Sequence, residues 1–260
     1  MRSLRRQRGF NLLELTVVVG VLALLTSAAT GTYEMFQQSR SHTASRAQLG
    51  QARLALRAFT LRNKRLPCPD SSPQGDAGRE NGGASGCAAG LTVGWLPYES
   101  LGLALPDRNA RIRYAVHRSS TADLARPSAA SGEFSDQDGS GGLLAALARA
   151  AQATPVTALP FYKLPTANAA YPTETPSSPD LPCDGGGETV NPAYALIAPG
   201  MDMDQSSGNA PGFDTMNNAI ARGTALCMAP PERPSSFRYD DQVLAESSTT
   251  LLGWLTSLER

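Results

Sequence analysis

The chain is poor in the side chains that do chemistry near neutral pH. It has two histidines in 260 residues, His42 and His117, and only 6% aromatic residues. Histidine is the side chain whose ordinary pKa falls between pH 5 and 8, so two of them leave little for general acid–base work. The four cysteines, Cys68, Cys87, Cys183 and Cys227, form no Cys-x-x-Cys pair, and neither histidine lies at usable ligand spacing from them, which excludes a zinc-type cluster. Gly-x-Ser-x-Gly and phosphate-loop patterns are absent as well. We therefore expect no enzyme, no cofactor and no metal. There is also no surplus of positive charge, with 23 basic against 23 acidic side chains. That excludes a polyanion as the obvious partner. Arg108, Arg111, Arg113 and Arg118 read as the solvated face of a strand, and no nucleic acid is expected.

What the chain does have is concentrated at its start. Residues 10–31 form an apolar run of 22 residues, FNLLELTVVVGVLALLTSAATG. As a helix the run would rise roughly 33 Å, about one hydrocarbon thickness. It is preceded by a leader holding Arg2, Arg5, Arg6 and Arg8. Positive charge stays cytoplasmic, so the remainder is expected to be exported, with its cysteines oxidised. Removing the four leader arginines from the 23 basic side chains leaves 19 against 23 acidic ones, a side-chain charge of about −4. Glu14 interrupts the run, and on insertion scales an acid there costs about 2.5 to 3.5 kcal/mol, so it calls for a partner. An ordinary secretory signal cleaved near Ala28 is the rival reading, and Glu14 argues against it.

Arg8-Gly9-Phe10-Asn11-Leu12-Leu13-Glu14-Leu15 resembles the processing site of the type IV pilin-like superfamily, which includes minor pilins and the pseudopilins of type II secretion. The resemblance implies that an inner-membrane prepilin peptidase cuts after Gly9 and methylates the new N-terminal Phe10, and that Glu14 assists filament assembly. Asn11 stands where Ser or Thr is common. The chemistry is consistent with this. Cleavage creates an α-amino group with an ordinary pKa near 7.7 to 8.0, which Glu14 could neutralise in its own chain or a neighbouring one, most effectively where the dielectric is low. Further along, LPCPD (residues 66–70) and GWLPYESLGL (residues 94–103) resemble a pattern found after the stem in a group of minor pilin-like proteins, as does the Tyr-Asp-Asp at 239–241.

The residues between supply the expected architecture. Leu49, Ala52, Leu56 and Phe59 recur at helical spacing, with Arg46, Arg53, Arg57 and Arg62 mostly on other faces. They extend the stem as an amphipathic helix that proline chemistry ends at Leu66-Pro67. Cys68 and Cys87 are read as a disulfide, as are Cys183 and Cys227. Residues 112–117, with Ile112, Tyr114 and Val116 facing in, predict an antiparallel strand with one wet face; residues 193–198 predict a central strand, and 238–244 a turn and last strand. Residues 142–153 predict a helix capped by Asp138 or Ser140, and 251–258 a C-terminal helix. Asp202 and Asp204, and again Asp136 and Asp138, only partly match a calcium loop.

The fold class expected is thus α+β: a long N-terminal helix, made of a membrane stem and an amphipathic half, packed on a C-terminal antiparallel β-sheet domain with loop insertions and disulfides. Its divisions are a cleaved leader (1–9), a transmembrane assembly helix (10–31), its amphipathic continuation (32–65) and an exported domain (66–260) with an insertion at about 119–180. The resemblance implies a single-pass inner-membrane precursor with a periplasmic C-terminal domain, which then enters a filament. The implied partners are prepilin peptidase, other pilin or pseudopilin subunits, an inner-membrane assembly platform and membrane lipid. The function expected is a minor structural subunit of a type IV pilus or type II secretion pseudopilus. The alternative is an adhesive or substrate-binding tip pilin whose function lies in the insertion.

Overall fold

In the computed structural model, the residues described are 12–83, 86–127, 142–164, 183, 187–201, 212–231, 233–236 and 239–258. The chain divides into two units, Met1–Thr43 and Ala44–Arg260. Helix α1 runs over Leu12–Asn63. In the second unit it buries Leu49, Ala52, Leu56 and Phe59, residues spaced three and four apart on one face. Lys64, at φ 55°, takes the left-handed conformation that stops the helix; Leu66-Pro67 follows, and a single turn, α2 (Tyr98–Leu101), comes later.

A four-stranded antiparallel sheet is built from β3 (Val93–Trp95), β4 (Arg113–Val116), β7 (Tyr194–Ala198) and β8 (Gln242–Glu246), in spatial order β3-β4-β7-β8. Short ribbons pair β1 (Gly82–Gly83) with β2 (Gly86–Cys87), and β5 (Tyr162–Leu164) with β6 (Glu188–Val190). Side chains alternate across the sheet. Tyr114, Val116, Tyr194 and Leu196 join one core with the α1 residues, α3 (Leu143–Gln152) and α5 (Ser248–Leu258). Ala115, Ala195 and Ile197 face a second core with Phe213, Ile220 and Met228, where α4 (Thr215–Ala221) lies.

Several expectations are corrected. The chain is α+β with an antiparallel sheet, but a long N-terminal membrane stem is not shown. Among the described residues no helix is long and apolar enough to cross a membrane, and the single-pass inner-membrane placement is not supported. The exposed apolar stretch whose side chains are described, residues 15–24, rises only about 15 Å, half a hydrocarbon thickness. The sheet has no wet face at β4, where all four residues are buried. Arg113 lies under the second layer, its guanidinium 4.4 Å from the Trp95 ring centre, and burial lowers its pKa to about 10. Arg111 is buried too and pairs with Asp76. The arginines are not one solvated face, because α4 and the 70s loop cover two of them. Helix α3 begins at Gly142 with no side-chain cap, while Asp138 and Ser140 lie outside the described residues.

Candidate functional site

Gly9 and Phe10, the expected cleavage and methylation positions, lie outside the described residues. Glu14 falls on the α1 backbone, and its side chain lies outside them as well. The cysteines are joined as Cys68–Cys87 and Cys183–Cys227. The first bond closes the loop between the two patches that carried the resemblance, and those patches are one structure. The amide of Trp95 donates to Asp70 O at 2.8 Å and the amide of Asp70 to Trp95 O at 2.9 Å. A Cβ at Gly94 would sit 2.5 Å from Asp70 O and 2.7 Å from Pro69 Cβ, so this contact admits only glycine. The Tyr98 hydroxyl accepts from the Ile112 amide at 2.8 Å, pinning the turn to the start of β4. Burial pushes that phenol up to about 12.

Glu246 fastens the sheet to α1. This buried carboxylate at the end of β8 accepts from Arg53 Nε at 3.0 Å, from Arg57 Nη2 at 2.5 Å and from the Tyr194 hydroxyl. The Arg57 guanidinium also lies 4.7 Å from the Trp254 ring centre of α5. Burial alone would raise the Glu246 pKa, but the hydrogen bonds from Arg57, Tyr194 and Arg53 outweigh it and hold the carboxyl below its ordinary range.

The structure gathers three buried carboxylates that the sequence reading did not connect: Asp214, at the start of α4, with Asp240 and Asp241 before β8. Each offers an oxygen within 4.8 Å of the others. Hard oxygen donors of this kind suit calcium or magnesium. Here they are cradled by N–H groups instead. Asp241 accepts from the amides of Gly200 and Asp214 and from Asn217 Nδ2, Asp240 accepts from the Met201 amide, and Asp214 accepts from the Asp240 amide. Burial and the neighbouring Asp214 push Asp241 well above the ordinary carboxylate range, since both disfavour its charged form. The partial calcium-loop residues Asp136, Asp138, Asp202 and Asp204 all lie outside the described residues.

A cavity of about 360 Å³ opens among the end of β4, the tail of α3, β6 and the start of α5. His117, Ser248, Thr121, Asn191 and Glu188 are among its lining residues. His117 is 2% exposed and Ser248 4% exposed, and neither imidazole nitrogen nor the Ser248 hydroxyl has a hydrogen-bond partner. No sequence signal joined them, because His117 and Ser248 meet only through the pairing of β4, β7 and β8.

No family model, curated protein or solved structure matches the chain.

Proposed function

We propose that the chain is a pilin-like filament subunit, a minor pilin of a type IV pilus or a pseudopilin of type II secretion, with a structural rather than a catalytic role. The observation that carries this reading is the joint occurrence of two features. One is RGFNLLEL at the start of the chain. The other is the amphipathic second half of α1 laid on an antiparallel sheet through Leu49, Ala52, Leu56 and Phe59. In this reading prepilin peptidase cuts between Gly9 and Phe10, Phe10 is methylated, and Glu14 pairs with an N-terminal amine when subunits assemble. Mass spectrometry of the mature chain tests it: a methylated Phe10 N-terminus is expected, and a start at Ala29 refutes it. Glu14→Ala should leave cleavage intact and remove the chain from sheared filaments; normal incorporation would contradict the assigned role.

One observation favours the substrate-binding alternative. The cavity beside His117 is lined by Ser119, Thr121, Ala150, Ala151 and residues 153–156, all in the insertion at about 119–180. If function lies there, Thr154→Trp and Val156→Trp, which crowd the cavity and leave the α3 core residues Leu143, Ala146 and Leu147 in place, should allow filament entry but abolish ligand retention. Loss of filaments would instead assign the insertion to structure.

A further inference from the structure

The four-stranded sheet has two outer edges, and only one of them is closed. The His117 amide donates to Ala193 O, which in the register of β4 against β7 puts the odd-numbered residues of β7 on the β4 side. The even-numbered ones bond to β8, pairing Tyr194 with Glu246, Leu196 with Leu244 and Ala198 with Gln242. The amides and carbonyls of Val243 and Ala245 therefore point away from β7, along the outer edge of β8. On the opposite edge the outward residue of β3, Trp95, exchanges both main-chain bonds with Asp70. Val243 and Ala245 have no such partner among the described residues. Through Ala245 β8 is only half-buried, whereas β4 and β7 are buried throughout. Main-chain polar groups are normally paired, and natural edge strands are guarded by lysine, proline or a bulge. β8, Gln242-Val243-Leu244-Ala245-Glu246, contains neither residue and pairs β7 residue for residue, without a bulge.

Charge decides what this edge can accept. Gln242, Leu244 and Glu246 share one face of β8, the face on which α1 packs: Leu244 lies against the first core, Arg46 Nε donates to Gln242 Oε1 at 3.3 Å, and Arg53 Nε donates to Glu246 Oε2 at 3.0 Å. Helix α1 thus sets an arginine beside each end of the strand. Arg46 is exposed and the Arg53 side chain is 39% exposed, and from Met35 to Pro69 the sequence holds no Asp or Glu to offset them. Glu246 is already held by Arg53, Arg57 and Tyr194. A second copy pairing β8 with β8 about Leu244 would bring the two arginine rows together, and like charges facing across a strand pair are destabilising. We propose that the outer edge of β8 takes an extended segment of a partner protein as a fifth, antiparallel strand, with acidic side chains opposite Gln242 and Glu246 and an apolar one opposite Leu244. Strand addition of this kind draws affinity from main-chain bonds and specificity from alternate side chains. It does not depend on filament assembly and is read on the free chain.

The test is NMR titration of the ¹⁵N-labelled full chain with the acetylated and amidated peptide Ser-Asp-Thr-Val-Thr-Glu-Ser, at constant ionic strength. In the proposed register both Thr amides of the peptide face β8 and its Val amide faces away. Saturable shifts at the Val243 and Ala245 amides are expected at millimolar peptide, with slowed hydrogen exchange at both. Asn and Gln in place of the peptide's Asp and Glu should weaken binding several-fold. So should Arg46→Glu, at an exposed position that leaves the α1 core residues in place. N-methylation of both Thr residues should abolish binding, and N-methylation of the Val should not. Absence of saturable shifts would overturn the proposal. So would equal binding by the neutral peptide, binding that Arg46→Glu leaves unchanged, or indifference to Thr methylation. Broadening of the Val243 and Ala245 amides that grows with protein concentration in the absence of peptide would overturn it in favour of a second copy.

Discussion

Replacing Glu246 with alanine tests the contact that fastens α1 to the sheet. The carboxylate accepts two charge-assisted bonds, from Arg53 and Arg57, and one from the Tyr194 hydroxyl. Bonds to a charged group contribute about 1.5 to 3 kcal/mol each when buried, and a buried hydroxyl left without its partner costs about 1 to 3 kcal/mol. The three do not simply add. The Arg53 side chain is 39% exposed and would return to water almost freely, whereas Arg57 is 18% exposed and stays tied to Trp254. Removing one partner of a buried charge cluster typically costs about 3 to 5 kcal/mol, and we expect Glu246→Ala to fall there. Glu246→Gln keeps one acceptor oxygen and should cost about half as much. Arg57→Ala should cost more than Arg53→Ala, for which about 0.5 to 1 kcal/mol is expected.

The assay is urea unfolding of the full chain, followed by circular dichroism and by the fluorescence of Trp254 and Trp95. The sign with pH is fixed by the direction of the Glu246 shift. Its folded pKa lies below the ordinary carboxylate value, so the folded state binds fewer protons than the unfolded one. The stabilisation is fully present above the unfolded value and is lost as pH falls through it toward the folded value. Glu246→Ala should therefore flatten the acid limb of stability against pH. A cost below about 1 kcal/mol, an acid limb unchanged by the substitution, or a larger loss from Arg53→Ala than from Arg57→Ala would refute the reasoning.

Other outcomes follow from packing and covalent constraint. Gly94→Ala forces a methyl into the carbonyl of Asp70 and the ring of Pro69 and should cost about 1 to 3 kcal/mol; the urea midpoint reads it. Breaking Cys68–Cys87, which spans 19 residues, should cost about 3 kcal/mol in the chain-entropy model, and breaking Cys183–Cys227, which spans 44, about 4. Serine double variants compared with the oxidised chain measure both, and equal midpoints would argue against this account. Leu56→Ala removes a fully buried side chain of the α1 face and should cost about 2 to 5 kcal/mol, whereas Leu54→Ala, on the exposed face, should stay within about 0.5.

The sequence by itself determined what depends on local periodicity and chain chemistry. Leu49, Ala52, Leu56 and Phe59 are buried because 3.6-residue periodicity places them on one side of a helix whatever it packs against. The apolar run at 193–198 becomes β7, an inner strand, because alternation is lost when both faces are covered. Tertiary structure decided what depends on residues far apart in the chain. Arg113 and Arg111 read as solvated because charge on an alternating strand usually faces water, and the second layer with α4 and the 70s loop reversed that. The three aspartates meet because Asp214 starts a helix that packs beside a turn 26 residues later, and no local pattern encodes that approach. His117 and Ser248 gained a shared cavity only when β4, β7 and β8 paired. RGFNLLEL remains a statement of chain chemistry.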